Sequence, residues 1–120
     1  MELVFIYSTR GDWEAARIGD YVFDLLGQWV AWVDGNGTDV FTRDGEYVGY
    51  LTRDNRILRK RVKPSLPLRK DIPSEPGKPA LPPHAPLPPM FAELSYSEVD
   101  MFDWDPDVFK RVSELRPDMD

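Results

Sequence analysis

The chain has no cysteine and only one histidine, His84, which removes disulfides, thiolate metal sites and most imidazole chemistry at once. No apolar run approaches a membrane span, and Leu3–Tyr7 is too short for a signal core and has no basic residue before it. No glycine-rich loop opens a helix, so no phosphate cradle is present. These absences point to a soluble cytoplasmic protein, with catalysis, cofactor and metal sites all assigned as none. Proline is scarce except in one place: ten of the twelve lie between Pro64 and Pro89. That tract takes about 25 residues out of any core and leaves a ladder near the lower size limit for independent folding.

What is present is a repeat. Val22-Phe23 is followed by Gly27-Gln28-Trp29-Val30-Ala31-Trp32-Val33, and Val40-Phe41 is followed by Gly45-Glu46-Tyr47-Val48-Gly49-Tyr50-Leu51. A fixed period of this kind marks one supersecondary unit copied along the chain. Gly11, Trp13 and Ala15 match Gly27, Trp29 and Ala31, so residues 13–18 read as strand rather than helix. Asp34-Gly35-Asn36-Gly37 and Asp44-Gly45 supply the positive φ that tight hairpins need. Ile57-Leu58 stands where a fourth apolar pair belongs, but no Gly-x-aromatic follows, so the fourth hairpin reads as incomplete. The expected fold is all-β: a small antiparallel meander of repeated hairpins, flower-like or barrel-like, over 1–62. A Pro-rich spacer over 63–89 and an aromatic-acidic tail over 90–120 follow. Asp105, Pro106 and the stripe Val108, Phe109, Val112 and Leu115 predict a short helix at about 106–115.

Hairpins of the form Gly-x-Trp/Tyr-Val-Ala/Gly-Trp/Tyr-Val/Leu run into Leu81-Pro82-Pro83 and Leu87-Pro88-Pro89. They end in Leu94-Ser95-Tyr96-Ser97-Glu98-Val99-Asp100-Met101-Phe102. This combination resembles the bacterial four-fold β-flower family, over about residues 3–102. The resemblance implies hairpins set about a pseudo-four-fold axis with a Pro-rich tail; it implies no particular activity.

Charge is segregated. Residues 1–51 carry three Arg against nine acids, 52–72 eight Lys/Arg against two Asp, and 73–120 four Lys/Arg against ten acids. The basic stripe Arg56, Arg59, Lys60, Arg61 and Lys63 suggests phosphate contacts beside aromatic rings. Its acidic flanks favour an intramolecular role, either pairing with the tail or blunting a sheet edge. Asp34–Phe41 approaches a calcium nonapeptide, but as a single copy it reads as a hairpin turn. Pro83-His84-Ala85-Pro86 has the spacing that aromatic grooves bind, although in so dense a tract the spacing is nearly unavoidable.

The reading that results is a non-enzymatic interaction or adaptor module. Its contact residues are Trp29, Trp32, Tyr47 and Tyr50 on the β-surface and Tyr96, Met101, Phe102 and Trp104 in the tail. The partner would be another protein or a second copy of the chain. A nucleic-acid-binding accessory protein and a small enzyme are the alternatives, and no membrane contact is expected. Whether the tail docks on its own ladder or on a partner stays open at this level.

Overall fold

The computed structural model describes residues 2–35, 37–61 and 67–109. Eight strands form one antiparallel meander in chain order, curled into a half-barrel. They are β1 Leu3–Tyr7, β2 Trp13–Ile18, β3 Tyr21–Phe23, β4 Trp29–Val33, β5 Asp39–Thr42, β6 Tyr47–Leu51, β7 Ile57–Lys60 and β8 Glu98–Asp100. One helical turn, α1 Met101–Trp104, follows β8 directly.

The repeat sets the register. Ile6 pairs with Ala15, Val22 with Ala31 and Val40 with Gly49, each at the same place in its hairpin. The first residue of every apolar pair, Ile6, Val22, Val40 and Ile57, is fully buried in one cluster. Because side chains alternate along a strand, the second residues face the other way. On that outer face Phe23 and Phe41 join Trp29, Trp32 and Tyr47 in a separate aromatic cluster. Every residue of β4 is buried, since both faces of that strand are covered. The turn between β6 and β7 places Asn55 at φ +66°, where the corresponding turns have Gly19 and Gly37. Asparagine tolerates this left-handed backbone better than other side chains.

The fourth hairpin is completed from far along the chain. The strand β7 pairs with β8 through Leu58↔Asp100, Arg59↔Val99 and Lys60↔Glu98, and the Arg61 N–H donates to the Ser97 carbonyl at 2.6 Å. What is a turn of four or five residues in the other hairpins is here the whole excursion from Arg61 to Ser97. The end of β8 then meets the start of the sheet, where the Thr9 N–H donates to Asp100 Oδ2 at 2.6 Å. Met101, Phe102, Val108 and Phe109 enter the inner core beside Ile6, Val22 and Val40. The tail is therefore part of the domain. Val108 and Phe109 are helical and buried as the stripe requires, while the remainder of the helix expected at 106–115 lies outside the described residues.

The proline tract also departs from the spacer reading, along its described part. From Pro73 to Leu94 burial recurs every third residue, at Pro73, Pro76, Pro79, Pro82, Ala85, Pro88, Phe91 and Leu94; apart from Leu81, the residues between are exposed. Three residues per turn is the period of polyproline II, so every third residue of this extended chain lies on the ladder, on both sides of a bend at Pro83-His84. The path reverses the order of the hairpins. Arg69 N–H donates to the Gly45 carbonyl at 2.9 Å, Pro79 and Lys78 lie against Gly27, and Pro88 lies against Gly11. The Ala92 N–H then reaches Asp54 Oδ2 at 3.1 Å. The segment is a belt around the ladder. It returns the chain to the one open position beside β7.

Close backbone approach decides one small residue. A Cβ added to Gly49 would lie 2.3 Å from the Leu58 carbonyl oxygen and 3.2 Å from Ile57 Cγ2. Ala15 and Ala31 hold the same place in the first two hairpins, so the pattern alone would tolerate alanine. Gly49→Ala is expected to cost about 1–3 kcal/mol through forced separation of β6 and β7. A lowered urea midpoint with unchanged m-value checks it.

Candidate functional site

Three guanidinium groups close the outer aromatic face. Trp32 stacks on Phe41 at 5.0 Å, and Phe41 meets Tyr47 edge to face at 5.6 Å. Arg69 of the belt lies 5.2 Å from Trp32 and 4.8 Å from Phe41, Arg43 lies 4.5 Å from Trp29, and Arg59 lies 5.6 Å from Tyr47. Cations over ring faces are attracted by the ring quadrupole, and the rings in turn shield their stems. Arg69 is held in place by Asp34 at 3.0 Å and Asp71 at 2.6 Å. The carboxylate of the near-calcium turn is thus occupied by an arginine. The Trp32 indole N–H is buried without a hydrogen-bond partner among the described residues, whereas Trp13 and Trp29 donate to the carbonyls of Ala15 and Ala31.

This arrangement relocates the residues singled out from sequence. Trp29, Trp32 and Tyr47 are buried, with Arg43, Arg69 of the belt and Arg59 respectively over their rings, and Met101 and Phe102 are buried in the core. A partner cannot reach those five side chains in this conformation, because strand alternation put rings on a face that the chain then covers itself. Tyr50 is half-buried, and its hydroxyl donates to Glu98. Tyr96 and Trp104 remain exposed. Of the basic stripe, Arg56 is buried and paired with Asp54 at 2.8 Å, Arg59 faces Tyr47, and Arg61 donates to the Tyr96 carbonyl. Lys60 is exposed, and Lys63 lies outside the described residues.

The Arg56 guanidinium sits at the seam. It reaches Asp54 twice, the Thr9 hydroxyl at 3.1 Å and the Ala92 carbonyl at 2.9 Å, and it lies 4.9 Å from the Phe91 ring. Burial by itself would raise the Asp54 carboxyl, but hydrogen bonds from Arg56, Thr52 and the Ala92 N–H outweigh it and hold the group below its ordinary value. Asp34 and Asp71 are lowered chiefly by their hydrogen bonds to Arg69, and Glu98 chiefly by that from Tyr50. A carboxyl depressed in the folded state stabilises it above the unfolded pKa, near 4, and that stability is lost as pH falls through the lower folded value. All four hold the belt or β8. Acid titration followed by tryptophan fluorescence should therefore show the belt loosening below about pH 4. In Arg69→Ala, the part of the loss due to Asp34 and Asp71 should be absent.

The apolar surface left open lies elsewhere, at the turn between β3 and β4. Leu25 is 48% exposed and Leu26 72% exposed. The Asp24 carboxylate fixes that turn by accepting from the Leu26 and Gln28 N–H groups, each at 2.9 Å. Beside the two leucines is a cleft of about 230 Å³ lined by Phe102, Pro106 and Phe109, with Glu14 and Asp24 at its rim. Burial raises the Glu14 carboxyl, and neighbouring Asp12 adds to the effect. Sequence reasoning passed over Leu25 and Leu26, although a signal was there. The matching turn positions in the other glycine hairpins are Thr9-Arg10 and Arg43-Asp44, all polar.

Among the described residues no group of three or more His, Asp or Glu is placed to hold a metal ion, and no helix is long and apolar enough to cross a membrane. No curated protein and no solved structure matches the chain. One family model does, described as 4-fold beta flower protein, over residues 4–104. That span takes in all four hairpins, the belt and the returning strand, and the chain belongs to the 4-fold beta flower family.

Proposed function

We propose that the protein is a non-enzymatic interaction module whose contact surface is the cleft between the β3–β4 turn and α1. The observation that carries the reading is the pair Leu25-Leu26, held out in water by a turn fixed through Asp24. Exposed leucines on a rigid mount beside an apolar cleft are the kind of patch that marks protein contact. The acidic rim, Glu14 and Asp24, favours a partner segment that brings an apolar side chain next to a basic one. A bacterial cytoplasmic setting belongs to the proposal, as does the choice between another protein and a second copy of the chain. The burial of Arg56 against Asp54 weighs against the basic stripe as a nucleic-acid surface.

The test is capture from native cells by full-length protein and by Leu25→Glu/Leu26→Glu, with the oligomeric state of both measured in parallel. Both side chains are exposed, so the variant should keep its melting temperature. Loss of a defined partner, or of a self-dimer, supports the proposal. Identical recovery by both proteins would remove the cleft as the contact site. Binding to DNA or RNA that falls steeply with salt and is abolished by Arg59→Glu/Lys60→Glu would favour the nucleic-acid alternative.

A further inference from the structure

We infer that residues 85–90 of the belt, beyond the bend at Pro83-His84, are an extended, pinned proline ligand for an aromatic-lined groove on a partner protein. The inference rests on the interaction reading above but uses a different surface. One edge of the belt, Pro82, Ala85 and Pro88, lies on the domain; with three residues per turn, the other two edges face water. Beyond the bend at Pro83-His84, one free edge carries Pro86 and Pro89, and the other carries Leu87 and Met90. Leu87 is 93% exposed and Met90 97% exposed; with Tyr96 they are the three most exposed large hydrophobic side chains among the described residues. Successive Pro-x pairs, Pro86-Leu87 and Pro89-Met90, therefore project together.

Unlike a slack linker, this stretch is pinned. The Tyr7 hydroxyl donates to the Pro86 carbonyl at 2.7 Å, Pro88 Cγ lies 3.5 Å from the Cβ position of Gly11, and Phe91 is held between Tyr7 and Arg56. A ligand already in its bound conformation avoids most of the ordering cost of association.

The chemistry selects the kind of partner. Prolines at 83, 86, 88 and 89 have no N–H, so pairing with a sheet edge is blocked. Between Lys78 and Glu93 the only ionisable side chain is His84, so neither a phosphate backbone nor a charged headgroup finds a counter-charge. Parallel aromatic walls that receive Pro-x pairs fit what remains.

The experiment uses full-length, isotopically labelled protein titrated with purified SH3, WW and EVH1 domains, read by amide shifts at Ala85, Leu87 and Met90. At least one domain should bind saturably, with shifts confined to 85–90 and the facing belt. Leu87→Glu/Met90→Glu should weaken that binding tenfold or more without altering the melting temperature, and Leu25→Glu/Leu26→Glu should leave it unchanged. No shift with any domain, or binding indifferent to Leu87→Glu/Met90→Glu, would overturn the inference. Its failure is separable from that of the cleft, because capture through Leu25 and Leu26 is measured independently.

Discussion

A chain ending at Arg61 is expected not to fold. It keeps seven of the eight strands and all three glycine hairpins, nearly the whole of the 1–62 ladder expected from sequence. It loses Met101, Phe102, Val108 and Phe109, each at most 6% exposed, from the inner core. At about 1.5–3 kcal/mol for each buried apolar side chain, the loss is roughly 6–12 kcal/mol, comparable to the whole stability of a small domain. It also opens β7 as an unpaired edge and strips Arg69 from Trp32 and Phe41. Circular dichroism and a urea titration should show no cooperative transition. A truncation of this kind is consequently no tool for mapping partners, and point changes on exposed residues are needed instead.

The second large effect is expected from Asp100→Ala. Asp100 is 1% exposed and holds three elements with one carboxylate. Its Oδ2 accepts from the N–H and hydroxyl of Thr9, and its Oδ1 accepts from the Phe102 N–H at 2.9 Å, capping α1. Thr9 in turn accepts from Arg56. Removing the carboxylate leaves two backbone donors without an acceptor and the buried Arg56 cation with a weakened network. Breaking a buried charged network by deleting one partner costs about 3–5 kcal/mol. Asp100→Asn keeps the volume and one good acceptor and should lose less. Equilibrium urea unfolding of the two variants checks the order, and a loss in Asp100→Ala below that of Asp100→Asn would contradict this role.

Much of this architecture is legible in the sequence because its causes are local. The hairpins follow from Gly11, Gly27 and Gly45, and the alternate turns from Gly19, Gly37 and Asn55. Ile57-Leu58 marks the fourth unit even without its glycine. The partner of that unit is not legible, since β8 carries no turn signal and lies across a long excursion. Nothing local links Leu58 to Asp100.

The belt sits between these cases. The spacing of prolines at 73, 76, 79, 82 and 88 already contains the three-residue period, but its reading as a docked, extended chain needs the ladder's surface. That surface also explains why Trp29, Trp32 and Tyr47 are not the contact residues expected of them. Alternation places rings on a face without saying what covers it. The contact residues proposed in their place, Leu25 and Leu26, stand out only when the turns are superposed on one another.

Native-state hydrogen exchange of the full-length protein tests the central claim, that the far tail and the belt are structural members of the ladder. The account predicts that amides of β8 and of Leu58–Lys60 opposite it exchange with the same global opening free energy as those of β4. Exchange of β8 at near-unprotected rates, with β4 still fully protected, would contradict it.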